Sequence, residues 1–430
     1  MALWMASSHP VKVHAAERTA DVQANNIQQM NKALGGNHKI KGNRLILQSD
    51  VTLDTKCEVA IQSTKPFDMT LDMNGKTIRN KKGVFFEAMP LNAAKWTFTI
   101  TGSGKMVSDK AIFSDIYSGK GEISLVLAGN VDYHLRSCAS LFEVGGLITM
   151  KKGTLHKPPK DKNIVVDYTV DIYNFVMKGG KIEGTLGFSE EMEMVGGTVG
   201  AIEGNGDGIP EMTMRGGTVE GRVVECRLLM YGGKIGSFAT GLEGYLALYG
   251  GTVEKGVTLG DECGMAMAGG TIKGKGVDLE GEFCEMKMTG GKIIAGDSIA
   301  VKCQYGAKFR FYGGTVAVTK KNAVGIYADA SSKVVLLNGT VKQKHNTGKY
   351  AIQLTQKNPR NMEGANLYMK GKKGQKVHTV GFKYGLKRDQ ASKISMSKNT
   401  KISCPKNTKK SYTSSSKLPT SVKGNMMIKF

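Results

Sequence analysis

Through the middle of the chain apolar residues fall on alternate positions, and a glycine pair breaks the alternation about every twenty residues. The segments run VMKGGKI from Val176, MEMVGGTV from Met192, MTMRGGTV from Met212, LLMYGGKI from Leu228 and LALYGGTV from Leu246. They continue as MAMAGGTI from Met265, MKMTGGKI from Met286 and FRFYGGTV from Phe309; VVLLNGTV from Val334 has Asn338 in place of the first glycine. Three residues before the second glycine stand Met177, Met194, Met214, Met230, Leu248, Met267, Met288, Phe311 and Leu336. Five before it, every residue from Phe175 to Val334 is Phe, Met, Leu or Val; two after it, every residue from Ile182 to Val341 is Ile or Val. The positions between are mostly polar or mixed. A period of two with one apolar side predicts half-buried strands, not helices.

The second glycines, from Gly180 to Gly339, are spaced by 17, 20, 16, 18, 19, 21, 23 and 25 residues. A drifting period of this length predicts a solenoid in which each repeat is one coil and loops absorb the insertions. The glycine pair then marks a corner, where a residue at positive φ is needed. Asn tolerates that conformation, so Asn338 is expected to supply it in the last copy. Strands in neighbouring coils lie about 4.8 Å apart, so like residues stack into ladders. The methionine ladder reads as irregular core filling by a flexible side chain.

Calcium-binding nonapeptide coils need a shorter period with GGxGxD, and hexapeptide coils keep a rigid turn length; neither fits. Upstream, MTLDMNGKTI (Met69 to Ile78), TFTITGSGKMV from Thr97 and ISLVLAGNV from Ile123 look like further rungs. Together the segments resemble the right-handed parallel β-helix of the pectin-lyase-like superfamily, in the form common among bacterial secreted and cell-surface proteins. The resemblance covers roughly residues 40–345. It implies an all-β, right-handed parallel β-helix solenoid, to which the residues at the two ends add a short N-terminal helical cap and a basic, partly disordered C-terminal tail. Residues 1–16 resemble a truncated signal segment with a small-residue end but no apolar stretch. The cap is expected over 17–42, the β-helix over 43–345, an irregular C-terminal cap over 346–397 and the basic tail over 398–430. Within the first cap, Ile27, Met30 and Leu34 share a helical face, Asn25 is placed to cap the helix and Gly35 to end it.

The net charge of +23 is unevenly spread. Residues 346–430 carry 19 basic and two acidic residues, a net +17, whereas residues 181–300 carry 10 basic and 18 acidic, a net −8. The basic end points to a polyanion such as an anionic cell-wall polymer. No nucleic-acid-binding motif accompanies it, so nucleic acid is not the expected partner. No run of 18 apolar residues is present, so no transmembrane segment is expected. The seven cysteines include no CxxC, and none of the seven histidines forms HExxH or HxH, so no metal or redox motif is visible. Cys226, Cys263 and Cys284 share inward parity, which reads as a buried thiol ladder; a Cys263–Cys284 disulfide is the alternative. Asp207, in the loop GNGDG, is a candidate source of calcium oxygens, and no other cofactor is expected.

Two outward columns carry candidate chemistry. Six before the second glycine stand Glu191, Glu211 and Arg227 in successive coils. Stacked carboxylates about 5 Å apart suit a retaining glycosidase pair, and like charges that close raise one pKa. Two before the glycine stand Arg215, Tyr231 and Tyr249, a column suited to lying against sugar faces. In the superfamily, enzymes place acids and bases on such an outward face, but the NTD, DD, GHG, RIK and WIDH-type motifs are missing here. The expected function is therefore a non-catalytic, secreted or cell-surface module for adhesion or glycan and cell-wall binding. The alternative is a polysaccharide lyase or glycoside hydrolase acting on an acidic glycan near residues 183–227. A phage-type fibre, which would have to be a trimer, is a third.

Overall fold

The computed structural model describes residues 27–403 apart from 54–58, 64–66, 81–85, 91–94, 110–111, 116–121, 137–141, 158–167, 207, 322, 330–331, 337, 344–349, 356–365, 372–380, 384–394 and 398. The chain forms the expected all-β solenoid, a parallel β-helix with three strands to the coil. The first sheet holds the strands that precede the glycine corners, such as Glu211–Met214, which pairs in parallel with residues 191–194 on one side and Arg227–Met230 on the other. The second sheet holds the strands that follow the corners, such as Lys292–Ala295 against Thr315–Val318. The third collects the remaining strands, such as Val277–Glu280 against Ile299–Gln304. Among the described residues the one antiparallel pairing is Lys39–Lys41 with Arg44–Ile46, at the N-terminal end.

The alternation has the cause expected of it. In all nine repeats the residues five before and two after the second glycine are at most 2% exposed. Those three before, from Met177 to Phe311, are buried as well, and all join one apolar core along the axis. Burial of apolar area at about 25 cal/mol per Å² drives the stacking.

The corners correct one expectation. The second glycine of each pair has positive φ, from +69° at Gly270 to +98° at Gly314 for the eight Gly-Gly copies. Asn338 occupies the first position, which is not left-handed: it opens the strand Asn338–Gln343, and Gly339 takes φ +143°. The first glycine serves a different need. A Cβ on Gly232 would lie 2.4 Å from the Arg215 carbonyl oxygen of the preceding coil, and one on Gly250 2.2 Å from that of Tyr231. The second glycine also makes room for the methionine ladder, since a Cβ on Gly233 would meet the Met214 methyl at 2.6 Å. Each methionine thus reaches under the next coil's corner, a place its flexible, unbranched side chain fills.

Helix α1 (Ile27–Ala33) buries Ile27 and Met30, and Leu34 just beyond it, against the end of the core. Gly35 and Gly36, at φ +106° and +81°, end it, and His38 Nε2 lies 2.8 Å from the Leu34 carbonyl. Asn25 and the expected signal-like segment lie outside the described residues. At the other end the ladder runs past residue 345. Tyr350–Thr355 pairs with Val324–Ala328, and Asn399–Ser403 pairs with Asn338–Gln343. Among the described residues, strands thus continue through the expected C-terminal cap and into the first residues of the tail as far as Ser403, and residues 404–430 lie outside the described ones.

Cys226, Cys263, Cys284 and Cys303 are buried free thiols, so the proposed Cys263–Cys284 bridge is not formed. Burial pushes all four thiols up, that of Cys284 to about 12, which leaves them unreactive core groups. Cys57, Cys138 and Cys404 lie outside the described residues. No helix among the described residues is long and apolar enough to cross a membrane.

Candidate functional site

On the first sheet three outward columns run beside the buried ladders. The outermost reads Asn174, Glu191, Glu211, Arg227, Tyr245, Gly264 and Glu285 in strict cross-strand register. Glu191 and Glu211 are thus direct neighbours, as expected from the repeat. Both line an open groove of about 450 Å³, together with Asn174, Glu193, Thr213 and Arg215.

Sequence reasoning placed Arg227 as the cation of this group. Arg227 does follow Glu211 in the ladder, but it is Arg215, from the other column, that lines the groove. Its Nε donates to Glu193 Oε1 at 2.9 Å, one coil back. Asn174 Nδ2 donates to Glu190 Oε2 at 2.8 Å.

Arg215 also joins the groove to the second expected column. Its guanidinium carbon stands 5.3 Å from the Tyr231 ring centroid, within cation–π range. Tyr231 and Tyr249 stack with centroids 4.9 Å apart and planes 11° from parallel, and both are about half exposed. Tyr245 adds a third ring on the same face. Its side chain lies across Gly264, where a Cβ would meet the ring at 2.7 Å. Partial burial, with Tyr249 nearby, holds its phenol above the usual range. The face therefore offers a groove with three carboxylates and one guanidinium, continued by an aromatic platform. The bare first and second glycines at the corners keep the sheet edge low beside the rings.

Tyr245 continues the column of Glu191, Glu211 and Arg227, whereas Glu193 lies outside both columns chosen from the sequence. Asp207, the calcium candidate, lies outside the described residues.

A second cluster went unseen in the sequence. On the second sheet His134 and His156 stack at 4.0 Å with planes 11° apart. His156 Nε2 lies 3.5 Å from Asp132 Oδ1, and its Nδ1 lies 3.1 Å from Glu183 Oε2. Burial lowers the His134 pKa, helped by His156 and Lys105. The hydrogen bond from Lys181, at 3.0 Å, leads the causes that hold the Glu183 carboxyl below the usual range. The signal was a register: Tyr133, Leu155 and Ile182 are the inward residues of three successive coils, so the residues that follow them form one outward column.

A scan of protein-family models finds no match, and searches of curated proteins and of solved structures return no similar chain.

Proposed function

We propose that this chain is a glycan-binding module of the pectin-lyase-like kind, working without catalysis at a cell surface or in a secreted setting. The observation that carries the reading is the exposed Tyr231–Tyr249 stack joined through Arg215 to the groove of Glu191, Glu193 and Glu211. Flat aromatic rings offer a sugar its apolar face, and carboxylates accept hydrogen bonds from its hydroxyls. The acidic balance of the groove favours neutral or amino sugars over uronates, because a ligand carboxylate would meet like charge. The basic C-terminal residues supply a separate, salt-sensitive attraction to an anionic envelope polymer. Shallow, open binding surfaces of this kind suit an extended polymer rather than a small cofactor.

The test is a panel of purified polysaccharides offered to the full chain. Binding of a neutral or amino-sugar polymer, lost in Tyr231→Ala and Tyr249→Ala while the melting temperature stays within a few degrees of the parent, supports the reading. Absence of binding across the panel, or binding indifferent to both changes, refutes it.

One observation favours a second reading: adjacent strands set Glu191 beside Glu211 at the groove, near the carboxylate spacing of about 5 Å used by retaining glycosidases. Release of sugar fragments from the bound polymer, abolished in Glu191→Gln and in Glu211→Gln, would replace the non-catalytic reading with this one. Both carboxylates are exposed, and the groove holds none of the superfamily's catalytic motifs.

A further inference from the structure

We propose that Asp132, His134 and His156 bind one divalent transition-metal ion of the zinc class on the outward face of the second sheet, with Glu183 orienting His156 from the next coil. The donor atoms of the first three residues lie within 4.8 Å of one another. They come from two neighbouring coils, and Glu183 from a third.

The placement of His156 carries the argument. Its ring stands between two carboxylates, Nδ1 at 3.1 Å from Glu183 Oε2 and Nε2 at 3.5 Å from Asp132 Oδ1. An ionised carboxylate only accepts hydrogen bonds, so the short Glu183 contact takes Nδ1 as donor and leaves Nε2 as the nitrogen that faces Asp132. His134, stacked on the same ring at 4.0 Å, adds a second imidazole, and the three donor atoms lie close enough for one ion to gather them. The pattern, a ligating histidine whose other ring nitrogen donates to a carboxylate, is the usual way a protein fixes tautomer and ring orientation at a metal. Lys181 binds the other oxygen of Glu183 at 3.0 Å and leaves Oε2 to His156.

Two nitrogens and a carboxylate oxygen suit zinc, cobalt or nickel; calcium and magnesium prefer oxygen alone. Tetrahedral zinc, with bonds of about 2.0–2.1 Å, holds its ligands about 3.3 Å apart. The cluster must therefore contract, and one of the parallel rings must turn so that both nitrogens face one ion; the Asp132 and His156 side chains, 55% and 29% exposed, have open space for that rotation. Beneath them Tyr133 and Leu155 are fully packed, so the backbone that carries the ligands is rigid. Three protein ligands leave a fourth position open to water or to a ligand group.

The experiment uses the full chain, stripped with a chelator and titrated with zinc chloride in a calorimeter, with cobalt(II) absorption as a second readout. One ion per chain at micromolar zinc is expected, with a cobalt spectrum of low coordination number. His134→Ala and His156→Ala should each weaken binding at least tenfold, and Asp132→Asn, which keeps the side-chain shape, should do the same. Glu183→Gln should weaken it by roughly 10- to 100-fold, as loss of an orienting partner does. Melting curves of the stripped variants should match that of the stripped parent. No uptake at tens of micromolar zinc would overturn the proposal. Uptake unchanged in all three ligand variants would place the ion elsewhere and overturn it equally.

Discussion

The coil around Asp72 and the coils from Met177 to Phe311 turn the same corner by different means. In the first, Asp72 Oδ1 accepts the backbone N–H of Asn74 at 3.0 Å, and its Oδ2 takes Arg44 Nη2 at 2.6 Å. Asn74 sits at φ +46°, ahead of Gly75 at φ +76°, and donates from Nδ2 to the Leu47 carbonyl of the preceding coil at 2.8 Å. In the later coils no such knot is needed. The glycine at positive φ follows another glycine, and a side chain of the preceding coil, most often a methionine methyl, fills the space beneath it, as Met214 does for Gly233. The polar knot depends on three particular side chains in place together. The glycine and methionine lock depends on backbone and one flexible apolar group, so it repeats down the axis without constraining the outward face. The outward columns there are free to hold Glu191, Arg215 and the tyrosines.

The comparison breaks first if the inward ladder does not carry the stability. Met214→Asp puts an unpaired charge into the packed core and should cost about 4 kcal/mol or more in urea unfolding. Thr213→Asp, one residue away and outward beside Glu193, should cost no more than about 1 kcal/mol, the size of a like-charge cross-strand pair. Equal effects would mean the ladder is misassigned.

Gly233→Ala tests the lock itself. A Cβ there meets both positive φ and the Met214 methyl, so a loss of about 2–3 kcal/mol is expected. Adding Met214→Ala should make the Gly233 change cheaper than it is alone, because the clash is relieved. Strict additivity of the two would show that they are not coupled. Asn74→Ala should cost less, about 1–2 kcal/mol, for the lost hydrogen bond and the strained φ. A larger loss at Asn74 than at Gly233 would reverse the ranking of the two corners.

The smallest effect on the fold is expected at the C-terminal end. Because Asn399–Ser403 is a paired strand, the clean truncation removes residues 404–430 and leaves that strand in place. Unfolding should be unchanged, while binding to an anionic polymer should weaken and lose part of its salt dependence. Identical salt curves for both forms would remove the tail from the account.

Much of this was legible in the sequence because a strand's period of two is unambiguous when nine copies repeat it. Burial at Met177, Met212 and Ile235 followed from parity alone. The neighbour relation of Glu191 and Glu211 followed from counting back from a shared glycine. The role of each glycine did not follow, since a close carbonyl and a positive φ select the same residue. Asn338 was misread for that reason. The pairing of Arg215 with Glu193 and the stacking on Tyr231 depend on side-chain reach between columns, which parity does not report. The histidine cluster was missed because its coils, at Asn130–Leu135 and Thr154–Leu155, lack the Gly-Gly marker that would have aligned them with Lys181.

The central claim is that buried ladders hold the fold while the outward tyrosines and groove bind a glycan, and that the two are separable. Its most direct test is one sample of Tyr231→Ala/Tyr249→Ala measured twice, by thermal unfolding and by affinity for the polysaccharide that the parent binds. Each ring contributes about 1–2 kcal/mol or less to its sheet as a cross-strand pair, so the melting temperature should shift by only a few degrees. Affinity should fall at least tenfold. Retained affinity, or affinity lost only in step with a collapse of stability, would contradict the claim.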